Sequence, residues 1–552
     1  MVDENTQVTR AGPRLRIDFW AVGALVIGVV VLAPIGSILW IAFHPTENIW
    51  PHLLATVLPR YISTTLMLMA GVAVLTGVVG TGAAWLVTMY RFPGQRWLVH
   101  ALLFPLAIPA YVGAYALVDV LDYAGPLQTG LRAVFGWTTA RDYWFPETRS
   151  VWAAVLVLSA ALYPYVYLLA RAAFREQSGC THEVARALGT GPWGLFWRVG
   201  LPMARPAIAA GVALALMETV ADYGTVTHFG VQTLTTGIFS TWLNGGNAGG
   251  AAQIAGVVLL LVGMLVALER VGRRNARFHQ MGRADRPQVA DRLGARAGWL
   301  AFGFCALPVV IGFVLPVMVM LYLGAQKPGA WVAPGLAAAL VNTLIVAGGA
   351  AIATVGAALF FVYAVRMAGR RVAKVVLPVT LIGYAAPGAV LALGLLIPLA
   401  ALDNRLADAV LALTGHDPGL MITGTAFALG LAYLVRFFGI AQGALDASFG
   451  RVSPSLPMAA RSLGRTAGGA LGAVYLPLMR GSVATALLVV FVDCVKELPA
   501  TLLLRPFNYN TLSTRVFELA SLERLSEAAP AALIVMAVGL LAVALLARAN
   551  RS

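Results

Sequence analysis

Two pairs of carboxylates are the residues of this 552-residue chain best placed to do chemistry: Glu218 with Asp222, and Asp493 with Glu497. The i, i+4 spacing predicts that both members of a pair share one helix face. Both pairs sit in otherwise apolar runs, where ionisable groups are costly and face a protein interior or a watery path. At 1.5 Å per residue from the inner end near Pro206, Glu218 is expected roughly 18 Å into the membrane, beyond the midplane. With the phenol of Tyr223, the carboxylates of Glu218, Asp222, Asp493 and Glu497 would offer hard oxygen donors to a hard cation in transit, a candidate transient metal set on a substrate path. The competing reading is structural. The acids would then pair with Lys496 or Arg505, or satisfy backbone groups freed at Gly224 and Pro499, the breakers that follow each pair.

The elements that must hold these residues are membrane helices. The chain is 59% hydrophobic and 11% charged, with a mean hydropathy of +0.81, so it needs lipid as solvent. Apolar runs of about 20 residues recur throughout and call for helices, because backbone polar groups must be satisfied inside a bilayer; the alternating short segments of a barrel are missing. Twelve spans are expected, near 19–43, 63–89, 98–122, 150–170, 206–228, 251–268, 299–323, 338–365, 374–400, 420–441, 481–499 and 528–548. The first follows Arg14 and Arg16, is too long for a signal-peptide core and is read as a retained span.

A formal charge of +15 would suggest nucleic acid for a soluble protein. Here most Lys and Arg fall in alternate loops, the pattern that places both termini in the cytoplasm, and nucleic-acid binding is not expected. Cys180, Cys305 and Cys494 form no CxxC, and the histidines, His182 and His228 among them, form no HxxxH or HExxH, so a fixed zinc site is not expected.

The chain is written twice. Gly189 aligns with Gly464, an offset of 275 residues, and the same frame pairs Arg91 with Arg366, Pro202 with Pro477, Arg205 with Arg480, Glu218 with Asp493 and Asp222 with Glu497. Upstream the offset becomes 278, matching TTLMLMAG at Thr64 to NTLIVAGG at Asn342, and Pro109 to Pro387. The expected organisation is all-α: a first six-helix repeat over 1–269, a basic cytoplasmic linker over 270–298 and a second six-helix repeat over 299–552. An even number of spans enters the membrane twice in the same direction, so the halves should be related by an axis along the membrane normal, with a path between them.

Two charged, Gly- and Pro-broken segments, 181–206 and 456–481, interrupt this apolar pattern in equivalent loops on the cytoplasmic side. HEVARAL ends at Gly189, where a residue without a Cβ can reverse the chain, and GLFWRVG starts a second short helix. A helix, a sharp turn and a helix below the bilayer suit docking into a groove.

These loops resemble the signature loop of ABC importer permeases, Glu-Ala-Ala, three residues, Gly, then a Pro about a dozen residues later. The matching residues are Glu183, Ala185, Gly189 and Pro202 in the first copy, and Ala459, Ala460, Gly464 and Pro477 in the second, where Met458 replaces the motif Glu. The resemblance implies that these residues couple the chain to a separate ATPase, and that the fold is type I-like with pseudo-symmetric repeats. The chain has no GxxxxGK[ST] stretch, so ATP and Mg are expected on two copies of a partner ATPase, with no cofactor on this chain and no bond-making chemistry of its own.

The stretches METVADYGTVTHFGVQTLTTGIFSTW and DCVKELPATLLLRPFNYNTLSTRVFELAS are similar to the fused permeases of ferric iron importers, over essentially the whole chain. That resemblance implies ferric iron as cargo, a periplasmic binding protein that delivers it and a place in the bacterial inner membrane. Permeases for thiamine or a phosphonate share the doubled architecture. A secondary transporter would also have repeats and buried acids but no need of paired loops, and an intramembrane enzyme would need a catalytic constellation that is absent. Tyr163, Tyr165 and Tyr167 read as interface anchors, as do Trp137, Trp144 and Phe145, while Asp142, Glu147, Arg505 and Arg515 are exposed candidates for contacting the binding protein.

Overall fold

The computed structural model describes residues 19–177, 179–274, 290–368, 370–380, 383, 386–453 and 455–549. Among them, eleven helices are long and apolar enough to cross a membrane, or twelve when a sharply bent pair counts as one span. The first half contains α1 (Phe19–Phe43), α2 (Leu58–Met89), α3 (Ala110–Leu121), α4 (Val151–Glu176), α5 (Gly179–Ala187), α6 (Leu201–Ala221), α7 (Gly224–His228), α8 (Leu234–Phe239) and α9 (Ala248–Arg274). The second contains α10 (Ala295–Gln326), α11 (Pro334–Met367), α12 (Arg370–Thr380), α13 (Gly388–Thr414), α14 (Ala426–Phe449), α15 (Ser455–Ser462), α16 (Leu476–Lys496), α17 (Pro499–Leu504), α18 (Leu512–Ser521) and α19 (Leu525–Ala549).

Several expected spans are broken rather than straight. The run at 98–122 bends by 95° between Gln95–Ala107 and Ala110–Phe135, because Pro109 lacks an N–H and takes an extended backbone ahead of α3. Pro387 does the same ahead of α13, so the run expected at 374–400 divides into α12 and α13. The run at 206–228 is continuous from Pro192 but stops at Ala221, and that at 481–499 stops at Lys496. The basic linker is shorter than 270–298: α9 reaches Arg274, Asp291–Arg292 pairs in parallel with Tyr90–Arg91, and α10 starts at Ala295. Most of the linker, residues 275–289, lies outside the described residues.

The two halves pack alike. In the first, α2, α4 and α6 form a mutual triplet; in the second, α11, α14 and α16 do. Small residues make the first triplet possible: a Cβ on Gly80 would lie 2.9 Å from the Tyr163 carbonyl, and one on Gly211 would lie 2.6 Å from Cα of Val166. Close backbone approach of this kind is how helices gain packing where lipid offers no hydrophobic drive. The same tertiary hydrogen bond recurs 278 residues apart, Leu234 N–H to Thr65 Oγ1 at 3.0 Å and Leu512 N–H to Thr343 Oγ1 at 2.8 Å.

The first helix of each half leaves its own half. α1 packs on α9 and also on α11 and α13, while α10 packs on α19 and also on α2 and α3. One core cluster accordingly joins Ile108, Tyr111 and Tyr115 of the first half to Leu498, Ala500 and Leu504 of the second.

Candidate functional site

The helices that carry the acids end at them. α6 stops at Ala221, and Asp222 is already extended; α16 stops at Lys496, and Glu497 is extended in the same way. The expectation that both members of a pair share one helix face therefore fails. Glu218 and Asp493 are helical, whereas Asp222 and Glu497 stand in the breaks and cap the short helices that follow. Asp222 accepts from the N–H groups of Thr225 and Val226 at 3.0 and 3.1 Å and from the Thr225 hydroxyl at 2.8 Å. Glu497 accepts from the N–H groups of Leu498 and Ala500 at 3.1 and 2.8 Å. These are helix-start donors with no partner inside their own helix, and a carboxylate beside them is held by hydrogen bonding and by the helix dipole. Thr235 donates to the Val220 carbonyl at 2.5 Å and Ser513 to the Val495 carbonyl at 2.6 Å, so the carbonyls just before each break are also satisfied.

The broken ends meet between the halves around a cavity of about 150 Å³, lined by all four acids together with Tyr165, Tyr223, Arg436 and Lys496. Asp493 pairs with Lys496 at 3.2 Å, and Glu497, 5% exposed, faces Arg436 at 3.6 Å. Gly388 makes room for the second pair, since a Cβ there would collide with both the guanidinium and the carboxylate. The repeat frame gives this charge pattern its meaning. Arg436 and Lys496 stand where the first half has Ala161 and Ala221, so both cations of the lining come from the second half, where they pair with Glu497 and Asp493 while their charge also reaches Glu218. In the first half Asp222 is occupied as a cap, whereas Glu218 lies inside α6 and faces the charges of Arg436 and Lys496 across the cavity. Glu218 is half-buried on the cavity wall.

Among the described residues, no three His, Cys, Asp or Glu come together as a metal site. The four acids thus share a lining without forming a closed coordination shell. Arg505, weighed as a partner for them, instead bonds to Glu518 and Asn510. Arg436 was missed by the sequence reading; the signal was a lone arginine in the apolar run AYLVRFFGIA.

The two loops at the opposite ends of α6 and α16 have the helix–turn–helix form that their sequence predicts. α5 ends in a turn where the N–H groups of Gly189 and Thr190 bond to the carbonyls of Arg186 and Ala185, and α15 repeats it with Gly464 and Arg465 on Arg461 and Ala460. The glycines have φ of +80° and +82°, the left-handed region in which a Cβ clashes with the following carbonyl. Glu183, Gly189, Ala459, Gly464 and Pro477 are exposed, Ala185, Pro202 and Ala460 half-buried. Leu188 and Leu463, in equivalent places, are 80% and 85% exposed. The first loop is tied to the linker end through an Arg186–Asp291 ion pair; its hydrogen bond to Asp291 raises the guanidinium pKa above its ordinary value.

Other expectations change. Tyr163 and Tyr167 are fully buried in the protein core rather than at an interface, with the Tyr167 hydroxyl donating to the Val99 carbonyl at 2.9 Å, and Tyr165 lines the acid cavity. Trp137 stacks between Phe135 and Tyr143, while Trp144 is 86% exposed. Arg505 and Arg515 are half-buried, not exposed. Asp142 organises its own loop: the N–H groups of Thr139 and Thr138 bond to its carboxylate and hold its pKa below the ordinary value.

Matching pairs of broken helix ends around a cavity between the halves, with helix–turn–helix loops at the far ends of the same helices, are the arrangement of a membrane transport subunit. The chain is a binding-protein-dependent transport system inner membrane component, the family whose model matches residues 76–274. It is a multi-pass inner membrane protein and the permease of an ABC importer, a class that works with a binding protein and an ATPase. It is similar to the Fe(3+)-transport system permease protein FbpB 2 of Haemophilus influenzae, 26% identical over 86% of this chain and 87% of that one. It is also similar to the molybdenum transport system permease protein ModB of Escherichia coli K12, 27% identical over 35% of this chain and 85% of that one. The sulfate transport system permease protein CysT of the same organism is 29% identical over 28% of this chain and 52% of its own length.

Proposed function

We propose that the chain carries ferric iron, released by a periplasmic binding protein, through the cavity between its two repeats. The observation that carries this reading is the charge of the path: four carboxylates against two cations in one lining. A path for an oxyanion would be expected to present an excess of donors and positive charge. The full-length similarity to a permease named for Fe(3+) supports the same cargo.

In this reading Glu218, Asp222, Asp493 and Glu497 act as successive oxygen contacts rather than a resident metal site, with Tyr165 and Tyr223 alongside. The loops at Gly189 and Gly464 dock into two copies of the ATPase, both termini face the cytoplasm, and residues on either side of the linker form two six-helix repeats. Closing of the ATPases pulls the loops, and through α6 and α16 moves the acids at the other end.

The test is reconstitution with the ATPase and measurement of hydrolysis stimulated by loaded binding proteins. Stimulation by a ferric-loaded carrier supports the reading; stimulation by a thiamine-loaded or phosphonate-loaded carrier instead would overturn it. The coupling role has its own check. Valine at Gly189 or Gly464 must adopt a left-handed backbone costing about 1–2 kcal/mol, which is expected to weaken ATPase capture by roughly tenfold in a pull-down. Unchanged capture in the double variant would remove these loops from the interface.

A further inference from the structure

A second cavity, of about 300 Å³, lies beyond the break in α6, on the side away from the α5 and α15 loops. Its polar lining is neutral, supplied by Thr227, Gln232, Thr236, Ser240 and Asn244. Tyr223 borders both this cavity and the acid cavity. Its ring stacks on Phe239 at 3.8 Å and 19°, and meets Phe517 at 5.7 Å. Phe239 and Phe517 are equivalent positions, 278 residues apart, so the tyrosine of one half fills the seam between matching rings of both.

In the second half the described residues that match this lining are tied to one another. Gln232, Thr236 and Ser240 correspond to Asn510, Thr514 and Glu518. There Arg505 bonds to Glu518 and Asn510, and Asn510 donates to Glu518 at 3.0 Å. One half presents a polar hollow; the other presents a hydrogen-bonded block.

We propose that the first-half hollow is where cargo is received, and that Tyr223 is the plug between it and the acid cavity. Uncharged hydroxyl and amide groups suit a cation that still carries water or a small oxygen chelator, because they can replace single outer contacts without fixing the ion ahead of the carboxylates. The cargo class rests on the transport reading above, whereas the location of the plug does not.

The experiment uses accessibility, so that it reads the plug whatever the cargo is. A Glu218→Cys variant in sealed vesicles is treated from the side away from the α5 and α15 loops with a cationic, membrane-impermeant thiosulfonate, and the native chain supplies the blank. Thiol reactivity follows exposure, and adding Tyr223→Ala is expected to speed labelling at least about tenfold, whereas Tyr223→Phe leaves it slow. Ser240→Trp, added to the alanine variant, fills the hollow at the position of Glu518 in the other half and should return labelling to the slow rate. The native Cys305, fully buried, must stay unlabelled in every background while a cysteine at exposed Trp144 labels equally, which identifies any variant that has lost its fold, and such a variant is replaced by Tyr223→Leu. Equal rates with tyrosine and alanine would overturn the plug; fast labelling despite Ser240→Trp would overturn the hollow as the way in. If labelling behaves as expected but iron uptake by the native chain is absent, the cargo reading fails and the plug stands.

Discussion

Glu218→Gln is expected to reduce ferric uptake by at least about a hundredfold, near 2.7 kcal/mol in the transport barrier, while insertion and ATPase binding stay as they were. The substitution keeps the shape of the side chain and removes only its charge. Glu218 lies inside α6 and caps no helix, and the cations whose charge reaches it, Arg436 and Lys496, keep Glu497 and Asp493 as ion-pair partners, so its loss strands neither and breaks no turn. Asp222→Asn offers the contrast. Its amide oxygen can still accept from Thr225 and Val226, so the break in α6 should persist and uptake fall less. Uptake of radioactive iron into proteoliposomes, set beside ATPase pull-down, measures both. Wild-type uptake by the Glu218→Gln protein would leave that residue with a scaffold role and remove the main physical support for a cation path.

Arg436→Met should act on stability instead. It leaves Glu497, 5% exposed, without the cation 3.6 Å away, and uncoupling one member of a buried ion pair typically costs about 3–5 kcal/mol. A detergent-solubilised variant should therefore unfold at a clearly lower temperature. Replacing both partners, Arg436→Met with Glu497→Gln, should recover most of that loss, because neither group is then charged and alone, and glutamine can still accept from Ala500. The pair of Asp493 and Lys496, each more exposed, should matter less when broken. A double variant no better than the single ones would mean that Glu497 acts through its cap on α17 and not through Arg436.

Much of this was legible in the sequence for a physical reason. Long apolar runs have one solution in lipid, and a repeated Gly189/Gly464 frame marks repeated turns, so the helices and the helix–turn–helix form of both loops could be read directly. The acids were found for the same reason: charge at that depth is conspicuous. Their arrangement was not legible, because i, i+4 spacing assumes a helix that continues, and Asp222 and Glu497 are the residues at which it stops. The roles of the tyrosines also escaped. Tyr163 and Tyr167 flank Tyr165 at alternate positions, and only the packing of α4 against α2 and α6 decides which ring meets the cavity. Arg436 was overlooked because its importance comes from the absence of a counterpart at Ala161, a comparison that needs the cavity to pose it.

The exchange of α1 and α10 has a mechanical corollary. Because each opening helix leans on the opposite set of spans, neither set can swing away as a free door; whichever moves must slide along a strut borrowed from its neighbour. A chain cut within 275–289 should for the same reason hold together as two laced fragments, with the peptide link serving assembly more than the stroke.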